Sequence, residues 1–226
     1  MSIYDNTLRQ LFNIYCYLFS DGLELSGHIP LPAGAKIIAA NHTNASDPLH
    51  FPYLVDEKIH FLIFNSTFDI PILGQLLKKT DQISVNRQNG RLAFAQACDL
   101  LQAGKTIAIF PEGKLCLHNE RVKGRSGAVR MALKTGVPII PLGFFVHPNN
   151  SIALSIPGKN QRPNGYWQFR GRCYARIGEP YHPDPTKSIA HGTNELMQRI
   201  YALVDQLTYE ETVCASPISL NHIRQW

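Results

Sequence analysis

Between residues 36 and 142, short apolar runs alternate with segments of helical periodicity, and nothing else in the chain constrains the fold as strongly. The apolar runs fall at 36–40, 60–64, 83–85, 106–110 and 137–142. Helical segments are expected at 48–55, 72–79, 89–103 and 126–136. A run that is apolar throughout suits a strand buried on both faces, and strands separated by helices pair in parallel. The chain is therefore expected to form a mainly parallel sheet covered by helices on both faces. The segment 89–103 is the clearest helix, with Leu92, Ala95, Leu100 and Leu101 at helical spacing and Gly104 just past its end. Ser126 is expected to cap the following helix and Gly136 to end it. After Pro148 the texture changes: Asn149-Asn150 and Pro163-Asn164-Gly165 read as turns, and 152–156 and 166–177 alternate in the manner of antiparallel strands. A final amphipathic helix is expected over 193–207.

The chain of 226 residues suits one sizeable α/β domain. That domain is expected over 30–214, with 215–226 as a C-terminal tail. Ahead of it, 1–29 carries a helix over 1–20, with Asp5 or Asn6 as N-cap. Within this helix the run 11–19 holds Phe12, Tyr15, Tyr17 and Phe19. It is too short to span a bilayer and fits either a membrane interface or a docked core helix. Five cysteines (16, 98, 116, 173 and 214) form no C-x-x-C pair and no metal-ligand spacing. They read as reduced thiols, and no metal site is expected. The net charge is +5, and residues 113–134 hold six basic side chains against one acid, Glu120. This favours an anionic surface or a phosphate-bearing ligand, with a plain solvated face as the alternative. No recognised motif or aromatic-interleaved basic run supports nucleic acid as a partner.

Four places could carry chemistry. The strand at 36–40 runs into Asn41-His42-Thr43-Asn44-Ala45-Ser46-Asp47-Pro48. A strand C-terminus in a parallel sheet is where ligand sites gather. A histidine there can act as general base, and a nearby carboxylate can orient it. Asp47 is also expected to cap the segment that Pro48 opens, which would leave His42 an ordinary loop residue. With no serine elbow beside the pair, the nucleophile would be the substrate's own hydroxyl. Phe110-Pro111-Glu112-Gly113 follows a second buried strand: Glu112 could meet an acceptor hydroxyl, and Gly113 would admit a ligand to the backbone. Arg87 follows a third strand and could grip phosphate, as could Lys123-Gly124-Arg125-Ser126-Gly127 at a helix start. Each of the last three is also compatible with an ordinary turn or surface cation.

Taken in order, the blocks Asn41-His42-x4-Asp47-Pro48, Ile70-Pro71-x-x-Gly74, Val85-Asn86-Arg87, Phe110-Pro111-Glu112-Gly113, Lys123/Arg125-x-Gly127 and Val137-Pro138-Ile139-Ile140-Pro141 resemble the PlsC-like glycerolipid acyltransferases of the 1-acylglycerol-3-phosphate acyltransferase type. The resemblance covers about residues 30–180. It implies a glycerol-3-phosphate acyltransferase-like α/β fold. It also implies fatty-acyl transfer from acyl-CoA or acyl-carrier protein to the hydroxyl of a lysolipid, with 1-acylglycerol-3-phosphate the first expectation. On this pattern His42 is the base and Asp47 its orienter. Arg87, Phe110, Pro111, Glu112, Gly113, Lys114 and Arg125 bind substrate. No cofactor is implied beyond the acyl donor, and the expected place is the cytoplasmic face of a membrane, held peripherally. Three features depart from the family's pattern, one of them that its usual N-terminal membrane segment is reduced to one short aromatic piece. Lys114-Leu115-Cys116 stands where Thr-Arg or Ser-Arg often follows Phe-Pro-Glu-Gly, and Phe64-Asn65-Ser66-Thr67 stands where a lysine is common. They leave open another lysolipid, a lyso-aminolipid or a hydroxylated lipid as acceptor. A non-catalytic lipid- or carrier-binding protein is the alternative from another class.

Overall fold

The computed structural model describes residues 3–28, 30–86, 88–154 and 165–213. Helix α1 (Ile3–Phe19) is followed by strand β1 (Leu23–Gly27) and then β2 (Lys36–Ala40). A 3-10 segment, Asp47–Tyr53, leads to β3 (Ile59–Phe64), and a second one, Asn65–Asp69, leads to α2 (Leu73–Lys79). Then come β4 (Ile83–Val85), α3 (Gly90–Gln102), β5 (Thr106–Ile109), α4 (Gly127–Thr135) and β6 (Ile139–Val146). The chain continues through β7 (Ser151–Leu154), β8 (Gly165–Gln168), β9 (Cys173–Ile177) and α5 (Ile189–Val213).

Seven strands form one sheet in the order β1-β9-β6-β2-β5-β3-β4. Every neighbouring pair is parallel except β6 with β9. β7 and β8 make a separate antiparallel pair. The mainly parallel sheet and the later antiparallel strands are as expected. Strand β2 lies in the middle and is buried at all five positions, including Lys36. That lysine is tolerated because its ammonium sits at the strand's start, donating to the Gly34 carbonyl at 2.9 Å and pairing with Glu57. Residues alternate across β2. Ile37 and Ala39 face a core built with α3, α4 and α5. Ile38 and Ala40 face a second core that includes Phe51 of the 3-10 segment. Helix α1 packs against that 3-10 segment on the same side.

Several details differ from the sequence reading. Strand β1 lies within 1–29, where only a helix was expected, and joins the sheet through β9. Residues 166–177 are two strands in different sheets, broken around Gly171, whose φ is +72°. Of 152–156, residues 155 and 156 lie outside the described residues, as does the tail 215–226 with Cys214. The last helix runs well beyond 193–207 at both ends. In α3 the buried stripe is Ala93, Ala97 and Leu101 with Cys98, while Leu92 is 70% exposed. Small residues let this helix lie close to the sheet, and at about 100° per residue Leu92 falls roughly 100° to 180° around from Ala93, Ala97 and Leu101. Gly104 and Gly136 do end α3 and α4, each with positive φ.

Helix α5 crosses β6 at Gly143, where an added Cβ would come within 2.8 Å of the Leu203 Cβ and 3.0 Å of the Val204 nitrogen. Neither can yield without moving the helix. Gly143→Ala should therefore destabilise the fold by about 1–3 kcal/mol, read as a lowered urea midpoint at unchanged slope.

Candidate active site

The site is assembled where β2 and β5 end side by side. Strand β2 pairs with β6 up to Ala40, opposite Leu142. Asn41 then replaces the lost backbone ladder with its side-chain amide, donating to the Phe144 carbonyl at 2.9 Å and accepting from the Phe144 N–H at 2.7 Å. The next residue, His42, is thereby delivered to the rim, half-buried. Its Nδ1 lies 3.1 Å from Asp47 Oδ2. The same oxygen accepts the main-chain N–H groups of Thr43 and Asn44, each at 2.9 Å. Asp47 is 1% exposed. The loop thus folds around the carboxylate that orients its own histidine.

This arrangement corrects the expectation that Asp47 caps the following segment. Ser46 takes the N-cap place with helical backbone angles, φ −83° and ψ −9°, and no side chain caps the turn. An N-cap needs an extended backbone so that its side chain can reach forward. Asp47 sits one residue later, inside the turn, and its carboxylate points back to Thr43 and Asn44. The turn itself is 3-10 and not α-helical, and Pro52 lies within it.

Phe110, at the end of β5, stacks on the His42 ring with centroids 4.0 Å apart and planes 15° apart. Phe51 meets Phe110 edge-on at 6.0 Å, so the stacking partner is itself held by the core. Glu112 is 5% exposed and faces inward. Its Oε2 accepts the His42 main-chain N–H at 2.8 Å, and its Oε1 accepts the Tyr201 hydroxyl at 3.1 Å. The Cys116 N–H donates to the His42 carbonyl at 2.8 Å. Both main-chain groups of His42 are therefore tied to the segment after β5. Burial pushes the Glu112 carboxyl above its ordinary value, opposed chiefly by the hydrogen bonds from the His42 N–H and Tyr201.

Gly113 has φ +64°, and a Cβ on it would lie 2.2 Å from Arg125 Nε. The glycine is needed on both counts, and the bulk it lacks is replaced by the Arg125 side chain. The Arg125 N–H also donates to the Pro111 carbonyl at 2.7 Å. Of the six basic residues in 113–134, Lys114 is paired with Glu120, and Arg121 is paired with Asp205. Arg130 and Lys134 lie over the Phe94 ring. Among the described residues, exposed Arg125 has no carboxylate partner and stands at the Pro111–Gly113 turn. The structure thus brings together His42, Asp47, Phe110, Pro111, Glu112, Gly113 and Arg125. It turns Lys114 outward to Glu120 and points the Glu112 carboxylate behind His42. Arg87 lies outside the described residues. Tyr201, from α5, was not anticipated, because no motif reaches it. No group of three or more potential metal ligands occurs among the described residues.

Because burial raises the folded-state value of Glu112, the native protein holds this proton more tightly than the unfolded chain does. The group's contribution to stability is then full at low pH and is lost as pH rises from the unfolded carboxyl value through the folded one. Glu112→Gln lacks this titration. Its melting temperature relative to the parent should therefore climb as pH rises above the ordinary carboxyl range, as measured by calorimetry at each pH.

Comparison with known proteins agrees with this architecture. The family model described as Acyltransferase matches residues 22–144, more than half of the chain. A 1-acyl-sn-glycerol-3-phosphate acyltransferase of Borreliella burgdorferi is 31% identical over 153 residues, covering 66% of this chain and 61% of that protein. The matched stretch thus spans less than two thirds of that relative's length. The Bacillus subtilis protein of the same name is 26% identical, covering 82% of this chain and 90% of its own. The crystal structure of the 1-acyl-sn-glycerophosphate acyltransferase PlsC from Thermotoga maritima superposes with a TM-score of 0.68 at 21% identity, over 90% of this chain and 79% of that one. That likeness is one of fold. The motif order, the sheet and the family-model match converge: the chain belongs to the acyltransferase family.

Proposed function

We propose that this protein is an O-acyltransferase that moves a fatty acyl group from an acyl thioester, acyl-CoA or acyl-carrier protein, to the hydroxyl of 1-acylglycerol-3-phosphate, giving phosphatidate. The observation that carries the reading is the His42 imidazole with Nδ1 held 3.1 Å from buried Asp47. Such a partner fixes the tautomer with the proton on Nδ1 and leaves Nε2 as the base. Nε2 has no hydrogen-bond partner among the described residues. In this scheme Nε2 takes the acceptor's hydroxyl proton as that oxygen attacks the thioester carbonyl. Asp47 stabilises the imidazolium that forms, and Phe110 holds the ring plane. Collapse of the tetrahedral intermediate expels the thiolate, which receives the proton from Nε2. No acyl-enzyme and no cofactor enter these steps. A purely lipid-binding protein would have no use for a histidine so oriented.

For the acceptor phosphate, Arg125 is the best-placed cation, since Lys114 is engaged by Glu120. Its guanidinium can grip phosphate oxygens in pairs. The named activity of the Borreliella burgdorferi and Bacillus subtilis relatives supports this acceptor. In a thiol-release assay with long-chain acyl-CoA and 1-acylglycerol-3-phosphate, His42→Ala should lower kcat about a thousandfold. Arg125→Ala should raise KM for the acceptor roughly tenfold and leave that of the donor unchanged. Full turnover in His42→Ala would overturn the mechanism, and an equal effect of Arg125→Ala on both substrates would remove the phosphate from its role.

The reading includes work at the cytoplasmic face of a membrane. No helix among the described residues is long and apolar enough to cross one. Helix α1 nevertheless presents Leu11, Ile14, Tyr17 and Leu18 to solvent, while Cys16 is buried and Tyr15 packs against Trp167. An apolar helix face of this kind suits a lipid interface. Cys16, Cys98, Cys116 and Cys173 are free thiols, in keeping with a reducing compartment. The parent protein should float with anionic liposomes, and Ile14→Glu with Leu18→Glu should abolish flotation without changing the melting temperature.

A further inference from the structure

Tyr201 stands apart from the motifs, on a helix wholly beyond the residues 22–144 that match the family model. We infer that Tyr201 is a positioning residue of this site: its hydroxyl ties the Glu112 carboxylate, and through it the His42 main chain, to α5. The inference rests on the acyl transfer proposed above.

The hydrogen-bond geometry assigns the direction of this tie. The phenol oxygen accepts the Val122 N–H at 3.1 Å. Its single proton then has two possible acceptors, Glu112 Oε1 at 3.1 Å and the Val122 carbonyl at 3.4 Å. The shorter contact is also the one to a carboxylate, which binds a donor more strongly than a carbonyl does. The ring is clamped from outside by the Arg121 guanidinium, 4.4 Å from its centroid and paired with Asp205 of α5. Glu112 in turn uses its other oxygen on the His42 N–H at 2.8 Å. A continuous line therefore runs from α5 through Tyr201 and Glu112 to the residue that carries the base.

The same line governs charge. Four titratable groups face Glu112. They are the His42 imidazole from the loop after β2, the Tyr201 phenol from α5, and the Cys116 thiol and Lys114 ammonium from its own segment. Lys114 is spoken for by Glu120. Burial pushes both the Cys116 thiol and the Tyr201 phenol up to about 12, so each stays protonated and keeps a proton to offer Glu112. Taking away the Tyr201 hydroxyl keeps the burial of Glu112 and removes one of its donors. The carboxyl must then hold its proton to higher pH. Once neutral, Glu112 no longer places a negative charge beside the imidazole, where positive charge gathers as the acceptor proton is taken.

Tyr201→Phe removes the hydroxyl and keeps the ring. In the full chain, it should lower kcat roughly tenfold with both KM values within about twofold. It should also move the step of the acid limb of the kcat–pH profile that reports Glu112 ionisation to higher pH. Titrating the Glu112 carboxyl by 13C NMR, assigned through Glu112→Gln, should show a matching upward move of its midpoint. In a Glu112→Gln background, Tyr201→Phe should cost almost nothing further. Installing 3-fluorotyrosine at 201, a stronger donor of nearly the same shape, should move the limb and the midpoint the other way, and it serves if Tyr201→Phe folds poorly. An unmoved midpoint overturns the tie. A lower kcat with an unmoved acid limb, or a full additive cost in the Glu112→Gln background, leaves Tyr201 merely structural and overturns its positioning role. If the parent chain releases no thiol with any lysolipid, the proposed function fails, and the NMR midpoint alone decides the tie.

Discussion

The buried carboxylate of Asp47 is the interaction on which the site depends. Three donors converge on one of its oxygens, two from the main chain of Thr43 and Asn44 and one from the His42 ring. A charged acceptor at 1% exposure would be costly if any of these were missing. The loop conformation and the histidine orientation are therefore specified together. The loop cannot open without stranding the carboxylate, and the ring cannot turn without giving up its share.

The second carboxylate, Glu112, acts on a different part of the same residue. Asp47 holds the ring of His42, and Glu112 holds its main chain, assisted by the Cys116 N–H on the carbonyl. Neither carboxylate reaches for a ligand in this arrangement. In the proposed reaction, the groups that would meet a substrate are the edge of the His42 ring, the stacked Phe110 and the Arg125 side chain beside Gly113. Chemistry and support are thus divided between different side chains, which is what a preorganised site needs. The support reaches down through the aromatic packing of Phe110 on Phe51 into the core of the sheet.

What could be read from the chain follows from burial. Strands β2, β5 and β6 are buried along nearly their whole length, so each reads as an unbroken apolar run. The His42 and Asp47 pair was legible because it sits directly after such a strand. Strand β1 was not. It is half-exposed at the sheet edge, carries Glu24 and Ser26, and pairs with residues about 150 positions away. The reversal of Asp47 was hidden because both roles, cap and orienter, use the same residue type at the same place. The inward turn of Glu112 and the arrival of Tyr201 depend on where α5 lies, and no local pattern encodes a contact across 89 residues.

The edge position of β1 has a consequence for how the chain comes together during synthesis. Among the described residues, 23–27 find their strand partner in β9, at residues 173–177. That partner must itself be inserted between β1 and β6. At a translation rate of about 5–20 residues per second, the first strand waits roughly 8 to 30 seconds on the ribosome before its place exists. During that interval the segment next to α1, with its apolar outer face, has no sheet to join. The early part of this chain therefore waits for its strand partner until most of the sheet has been made.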